Sequence, residues 1–151
     1  MAVAEEQTAG RGRLGRIWHA PPRTSVLVSV NLRPPTEVAR LPELSIVAGL
    51  ATADAIASET GIRPEVRFPN DVLIEGRKVA GILAEAREER VVLGIGINAN
   101  LAEAELPVNV DTPATSLLVE SGANVDRARL LATLLERLEA RYDAWVQSNH
   151  A

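Results

Sequence analysis

Val26, Val28, Val30 and Leu32 alternate along residues 25–32, which predicts a strand with one apolar face. Residues 65–68, 72–75, 78–86 and 91–98 read as further strands, separated by Pro69-Asn70-Asp71, Gly76-Arg77 and Glu88-Glu89. Turns this short join antiparallel neighbours, so a meander is expected. Between positions 43 and 60 the period changes to that of a helix, with Ile46, Leu50, Ala53 and Ala57 in a stripe widened by Val47 and Ile56. Gly61 is its stop. A second long helix is predicted from an N-cap at Asp126 to about residue 147. Leu131, Leu134, Leu135, Leu138, Tyr142 and Trp145 form its core-packing stripe. A short helix is expected over 114–120, loop over 99–113, and an extended segment over 2–6. Residues 7–16 have no period and read as loop.

With 151 residues, no internal repeat and no linker, the chain is expected to form one α+β domain, a mostly antiparallel sheet packed against helices. Sixteen Lys and Arg against twenty Asp and Glu leave a net charge of −4, which argues against a surface that coats nucleic acid. No helix-turn-helix pattern is present either, so no nucleic-acid partner is expected. The absence of cysteine excludes disulfides, thiolate catalysis and Cys-ligated zinc. The acidic first seven residues lack a signal-peptide pattern, and no apolar run of about 18 residues stands out. A soluble, cytoplasmic protein with no membrane partner is the expectation.

Against that background the loop is unusual. Gly10-Arg11-Gly12-Arg13-Leu14-Gly15 matches the dinucleotide pattern G-x-G-x-x-G, but Pro21 and Pro22 follow where a helix would have to receive the pyrophosphate. No Gly-Lys-Ser/Thr closes it as a P-loop. What remains is either a solvated basic loop or a flexible one whose guanidinium forks suit phosphate and carboxylate oxygens. Asp71 and Lys78 lie on neighbouring strands, so a carboxylate suited to Mg²⁺ and an ammonium suited to phosphate come close; taken alone, Pro-Asn-Asp is an ordinary turn. Gly94 and Gly96 inside an apolar strand mark either a bulge or the close approach of a ligand.

Taken in order, EQTAGRGRLGRIW at 6–18, RFPND at 67–71, RKVAGILAE at 77–85 and GIGIN at 94–98 resemble the biotin protein ligase family, also called biotin–[acetyl-CoA-carboxylase] ligases. The resemblance implies a fold like the class II aminoacyl-tRNA synthetase-related biotin/lipoate ligase core. It implies a two-step reaction: biotin and ATP give biotinyl-AMP, and a lysine of the biotin carboxyl carrier protein of acetyl-CoA carboxylase takes the biotinyl group. It further implies that Gln7, Gly10 and Arg11 line the biotin pocket and its lid. Arg13, Arg16 and Trp18 would enclose the adenylate, and Asn70 and Asp71 would face the phosphates and Mg²⁺. Lys78 would bridge the biotin carboxylate and the α-phosphate. Gly81 and Gly96 would let ligand lie on backbone, and Asn98 would help hold the nucleotide. Lys78, Arg13, Arg16 and Asp71 are thereby the catalytic candidates.

Three departures accompany the match. Arg67-Phe68 stands where the family usually has Lys-Trp, and Arg23 where glycine is common. The upstream segment that supplies a Ser-Thr-Asn part of the biotin pocket, the small C-terminal domain and any DNA-binding N-terminal domain lie outside these residues. A partial catalytic domain over residues 1–151 is therefore expected. A lipoate ligase-like enzyme and an inactive remnant that binds ligand weakly are the other readings, and pairing with a second copy is left open.

Overall fold

Alternation along a strand is useful only if one face is covered, and here two helices do the covering. The computed structural model describes residues 1–35, 40–108 and 110–148. Its six-stranded sheet is antiparallel throughout. The strands are β1 (Ala2–Ala4), β2 (Ser25–Leu32), β3 (Glu65–Arg67), β4 (Asp71–Ile74), β5 (Arg77–Arg87) and β6 (Arg90–Asn98). They lie in the order β1-β2-β6-β5-β4-β3. The expected meander and α+β class are both observed.

Val26 and Val28 of β2, Ala80 and Ile82 of β5, and Leu93, Ile95 and Ile97 of β6 are buried together under α1 (Leu41–Thr60) and α3 (Arg127–Ser148). Apolar area removed from water contributes about 25 cal/mol per Å², so this face carries most of the stability. α1 starts two residues before its predicted bound, because Pro42 falls in the first turn, where its missing N–H leaves no carbonyl unpaired. Its buried face is Leu44, Val47, Ala48, Ala51, Thr52, Ala55 and Ile56. Of the predicted stripe, Ile46, Ala53 and Ala57 are only half-buried and Leu50 is exposed. A helix apolar all round has no face that periodicity alone can select, and the small residues decide by allowing close packing. Gly49 is one: a Cβ there would come within 2.9 Å of Val66 Cγ1.

α1 is long and apolar enough to cross a membrane, contrary to the sequence expectation, yet here it packs on α3 and β5. Asp126 caps α3 as predicted, accepting from the Arg129 N–H at 3.1 Å. Leu130, Leu134 and Leu138 are its buried residues, so the stripe is centred one position before Leu131. The short helix is α2 (Leu117–Ser121), capped by Ser116; Ala114 does not join it and instead bridges Lys78 in parallel.

Candidate active site

The uncovered face of the sheet is built from the alternate residues of the same strands. Register places Leu27, Gly96, Gly81 and Asp71 side by side across β2, β6, β5 and β4. Two adjacent glycines leave a trough in the middle of this row, and the Trp18 indole occupies it. A Cβ on Gly96 would lie 2.8 Å from Trp18 Cε2, and one on Gly81 3.0 Å from Trp18 Cζ3. The glycines predicted to let a ligand approach the backbone thus receive a side chain of the loop instead.

Lys78 reaches this face through an irregularity. β4 and β5 pair Val72 with Ala80 but Leu73 with Lys78, so Val79 is an extra residue. Val79 and Ala80 are both fully buried. The bulge therefore turns Lys78 back onto the face of Gly81, where strict alternation would have sent it into the core. Lys78 is the only lysine in the chain. Its Nζ lies 2.8 Å from Asp71 Oδ1 and 5.5 Å from the centroid of the Trp18 ring. Asp71 Oδ2 accepts from Arg67 Nη2 at 2.7 Å. Burial pushes the Asp71 carboxyl up, but its bonds to Lys78 and Arg67 outweigh this and hold it below its ordinary range.

Both oxygens of Asp71 are engaged by cations, and among the described residues no three His, Asp or Glu side chains gather, so these residues make no all-protein Mg²⁺ cage; Asp71 is the carboxylate that would face a Mg²⁺ carried by nucleotide phosphates.

The loop rises over this face as a narrow excursion. The Trp18 N–H donates to Gly10 O at 2.9 Å, the Gly12 N–H donates to Arg16 O at 2.7 Å, and Arg11 bridges Ile17. Leu14 and Gly15 both adopt left-handed backbone, with φ of 60° and 75°. Leucine is disfavoured there, so the tip is strained at an exposed position. Exposed ion pairs tie the loop down: Arg11 to Glu85 at 3.2 Å and Arg16 to Asp111 at 3.1 Å. Such contacts contribute little each.

Two hollows open beside Trp18, of about 330 and 530 Å³. The smaller lies over β1, β2, β5 and β6 and is lined by Gln7, Arg11, Gly81 and Gly96 among others. The larger is walled by Arg16, Asp71, Asn98, Val110, Asp111, Thr112 and Ala114 among others. Gly12, Arg13, Trp18, Asn70 and Lys78 line both. Of the predicted residues, Gly10 lines neither hollow; a Cβ there would strike Trp18 O, so it closes the stem of the loop.

Among the described residues, two buried side-chain polar atoms lack a partner: Trp18 Nε1 and Asn98 Oδ1. The Asn98 amide nitrogen donates to Thr115 O at 3.1 Å, leaving its oxygen beside the larger hollow. An unpaired buried polar group costs about 1–3 kcal/mol, a cost that a ligand donor would relieve.

Sequence reasoning missed Thr112, which accepts from Arg67 Nη2 at 2.9 Å, and Glu85, the partner of Arg11. Arg67 itself was visible as a basic residue facing Asp71 across a turn, and the register makes the two direct cross-strand partners.

The chain is 44% identical over 155 residues to the biotin–[acetyl-CoA-carboxylase] ligase of Mycobacterium tuberculosis, covering 97% of this chain and 55% of that protein. To the bifunctional ligase/repressor BirA of Bacillus subtilis it is 40% identical over 147 residues, covering 94% and 45%. The chain thus spans about half the length of these curated relatives. It superposes with a TM-score of 0.87 and 34% identity on the biotin protein ligase from Aquifex aeolicus in complex with biotin and ATP, covering 96% of this chain and 61% of that one. Residues 1–101 match the model of the biotin/lipoate A/B protein ligase family, and the chain belongs to that family.

Proposed function

We propose that this chain carries the adenylate-forming centre of a biotin protein ligase. The observation that carries the reading is the position of Lys78, whose side chain borders both hollows at their seam. Joining biotin to AMP brings two anions together, and a fixed cation between them relieves a repulsion that grows as charge builds on phosphorus.

In the first step a biotin carboxylate oxygen bonds to the α-phosphorus of ATP as the bond from that phosphorus to pyrophosphate breaks. Biotin occupies the smaller hollow, over Gly81 and Gly96, and the nucleotide the larger one, against Asn98 and Arg16. Lys78 and Arg13 hold the oxygens at the junction, and Trp18 moves off the glycine row as the joined ligand takes its place. The arginine loop then shields the mixed anhydride from water. In the second step the neutral ε-amine of an acceptor lysine attacks the carbonyl carbon, AMP leaves, and the surplus amine proton goes to solvent. Relatives named for acetyl-CoA carboxylase support its biotin carboxyl carrier protein as the acceptor.

Biotin-dependent exchange of label between ATP and pyrophosphate tests the first step, with Trp18 emission as the binding readout. Exchange driven by biotin and not by lipoate is the expected result. Exchange driven by lipoate alone, or binding of neither biotin nor ATP, overturns the reading.

A further inference from the structure

Arg67 does not point into either hollow; its side chain links two parts of the site. Its Nη2 donates both to Asp71 Oδ2 at 2.7 Å and to Thr112 Oγ1 at 2.9 Å, while the other oxygen of Asp71 meets Lys78 Nζ at 2.8 Å. Thr112, Arg67, Asp71 and Lys78 thus form one unbroken polar chain from the wall of the larger hollow to the ammonium at the seam. The main chain fastens the same wall to Lys78 a second time: the Lys78 N–H donates to Pro113 O at 2.7 Å and the Thr115 N–H donates to Lys78 O at 2.8 Å.

We propose that Arg67 is a positioning residue that couples the 110–115 wall to the aim of Lys78, acting through Asp71. The proposal rests on the reading that the larger hollow takes the nucleotide. A carboxylate held at one oxygen can pivot about its Cβ–Cγ bond, whereas one held at both is fixed in plane and direction. The Arg67 side chain is 48% exposed, so without the Thr112 hydroxyl its fork is free to swing into water. A nucleotide seated against Val110 and Thr112 steadies that hydroxyl, and through it Arg67, Asp71 and Lys78. By linkage, a well-aimed Lys78 favours nucleotide binding to the same degree.

The single lysine makes the test direct, because a chain prepared with ¹³C-lysine gives one ε-methylene NMR signal. In the free protein Thr112→Val shifts this signal, and shifts it no further once Arg67→Gln is present. Adding AMP moves the signal in the wild type, and Arg67→Gln and Thr112→Val each suppress most of that movement. In the exchange assay Arg67→Gln lowers kcat by about tenfold, the worth of a charged hydrogen bond, with KM for biotin unchanged. Arg67→Lys recovers part of the loss. The double variant falls no lower than Arg67→Gln alone.

Independent, additive effects of the two substitutions, or a Lys78 signal indifferent to Thr112→Val, overturn the coupling. Absence of any AMP response or exchange in the wild type overturns the nucleotide reading instead, and the free-state signals still decide the coupling. Thr112→Val, nearly isosteric, keeps the test valid if Arg67→Gln fails to fold.

Discussion

On β6, Ile95 and Ile97 point into the helix-covered core while Gly94 and Gly96, interleaved with them, face the arginine loop. The same few residues of backbone thus serve two masters with opposite needs. The helix side excludes water with branched side chains, and the loop side gives up side chains altogether so that an indole, or a ligand, can reach the sheet. Because the alternation is strict on β6, single substitutions separate fold from chemistry, which is the use of the comparison.

The largest expected effect lies on the helix side. Ile97→Ala should cost about 2–5 kcal/mol of stability in chemical unfolding, since Ile97 is fully buried among other apolar residues. A loss near zero would mean that the two faces are not divided as described. Lys78→Ala should weigh the other way, lowering exchange roughly 10²–10³-fold while costing less stability than Ile97→Ala, since Asp71 keeps Arg67 as a partner. Lys78→Arg should restore only part of the rate, because a planar fork does not fill the place of a compact ammonium.

Gly96→Ala comes next. Its Cβ would overlap the indole, an overpacking worth about 1–3 kcal/mol that Trp18 escapes by swinging out, and a red-shifted Trp emission should report the move.

A smaller effect is one of pH. The folded Asp71 carboxyl is held below its ordinary range, so its ion pairs stabilise fully above the unfolded value and are lost as pH falls through the folded one. The stability gap between wild type and Asp71→Asn should therefore be flat near neutrality and narrow in acid, starting at the ordinary carboxylate value and continuing below it; a gap that does not change with pH would contradict the assignment. Gly94→Ala should matter least, within about 0.5 kcal/mol and with Trp18 emission unchanged, because the added Cβ meets nothing closer than Leu83 O at 3.6 Å.

The strands, the α3 cap at Asp126 and the nearness of Asp71 to Lys78 were legible because each rests on local pattern: alternation, a capping residue, a short turn; that the arginine loop joins them came from the family resemblance alone. The buried face of α1 was not, since apolar residues on every side leave the choice to packing partners. The bulge at Val79 was hidden for a similar reason, as two adjacent buried residues look the same in sequence whether or not the register shifts. Contacts such as Arg67 with Thr112, 45 positions apart, depend on where an aperiodic loop returns, and no spacing rule predicts that. The nearness of Lys78 to Asp71 was readable from the turn between their strands, but not that Arg67 and Lys78 each take one oxygen of the carboxylate in the free protein.

The lone lysine has a consequence for selectivity. Acyl-adenylates acylate amines without much discrimination, and most protein surfaces are covered with such amines. Here every other strongly basic side chain is one of fifteen arginines, which stay protonated and do not attack a carbonyl. The sole ε-amine is already bound to a carboxylate inside the site. On the proposed reading, a reactive acyl group that drifts out across the surface formed by these residues finds no further side-chain amine to label, and is left to amines elsewhere.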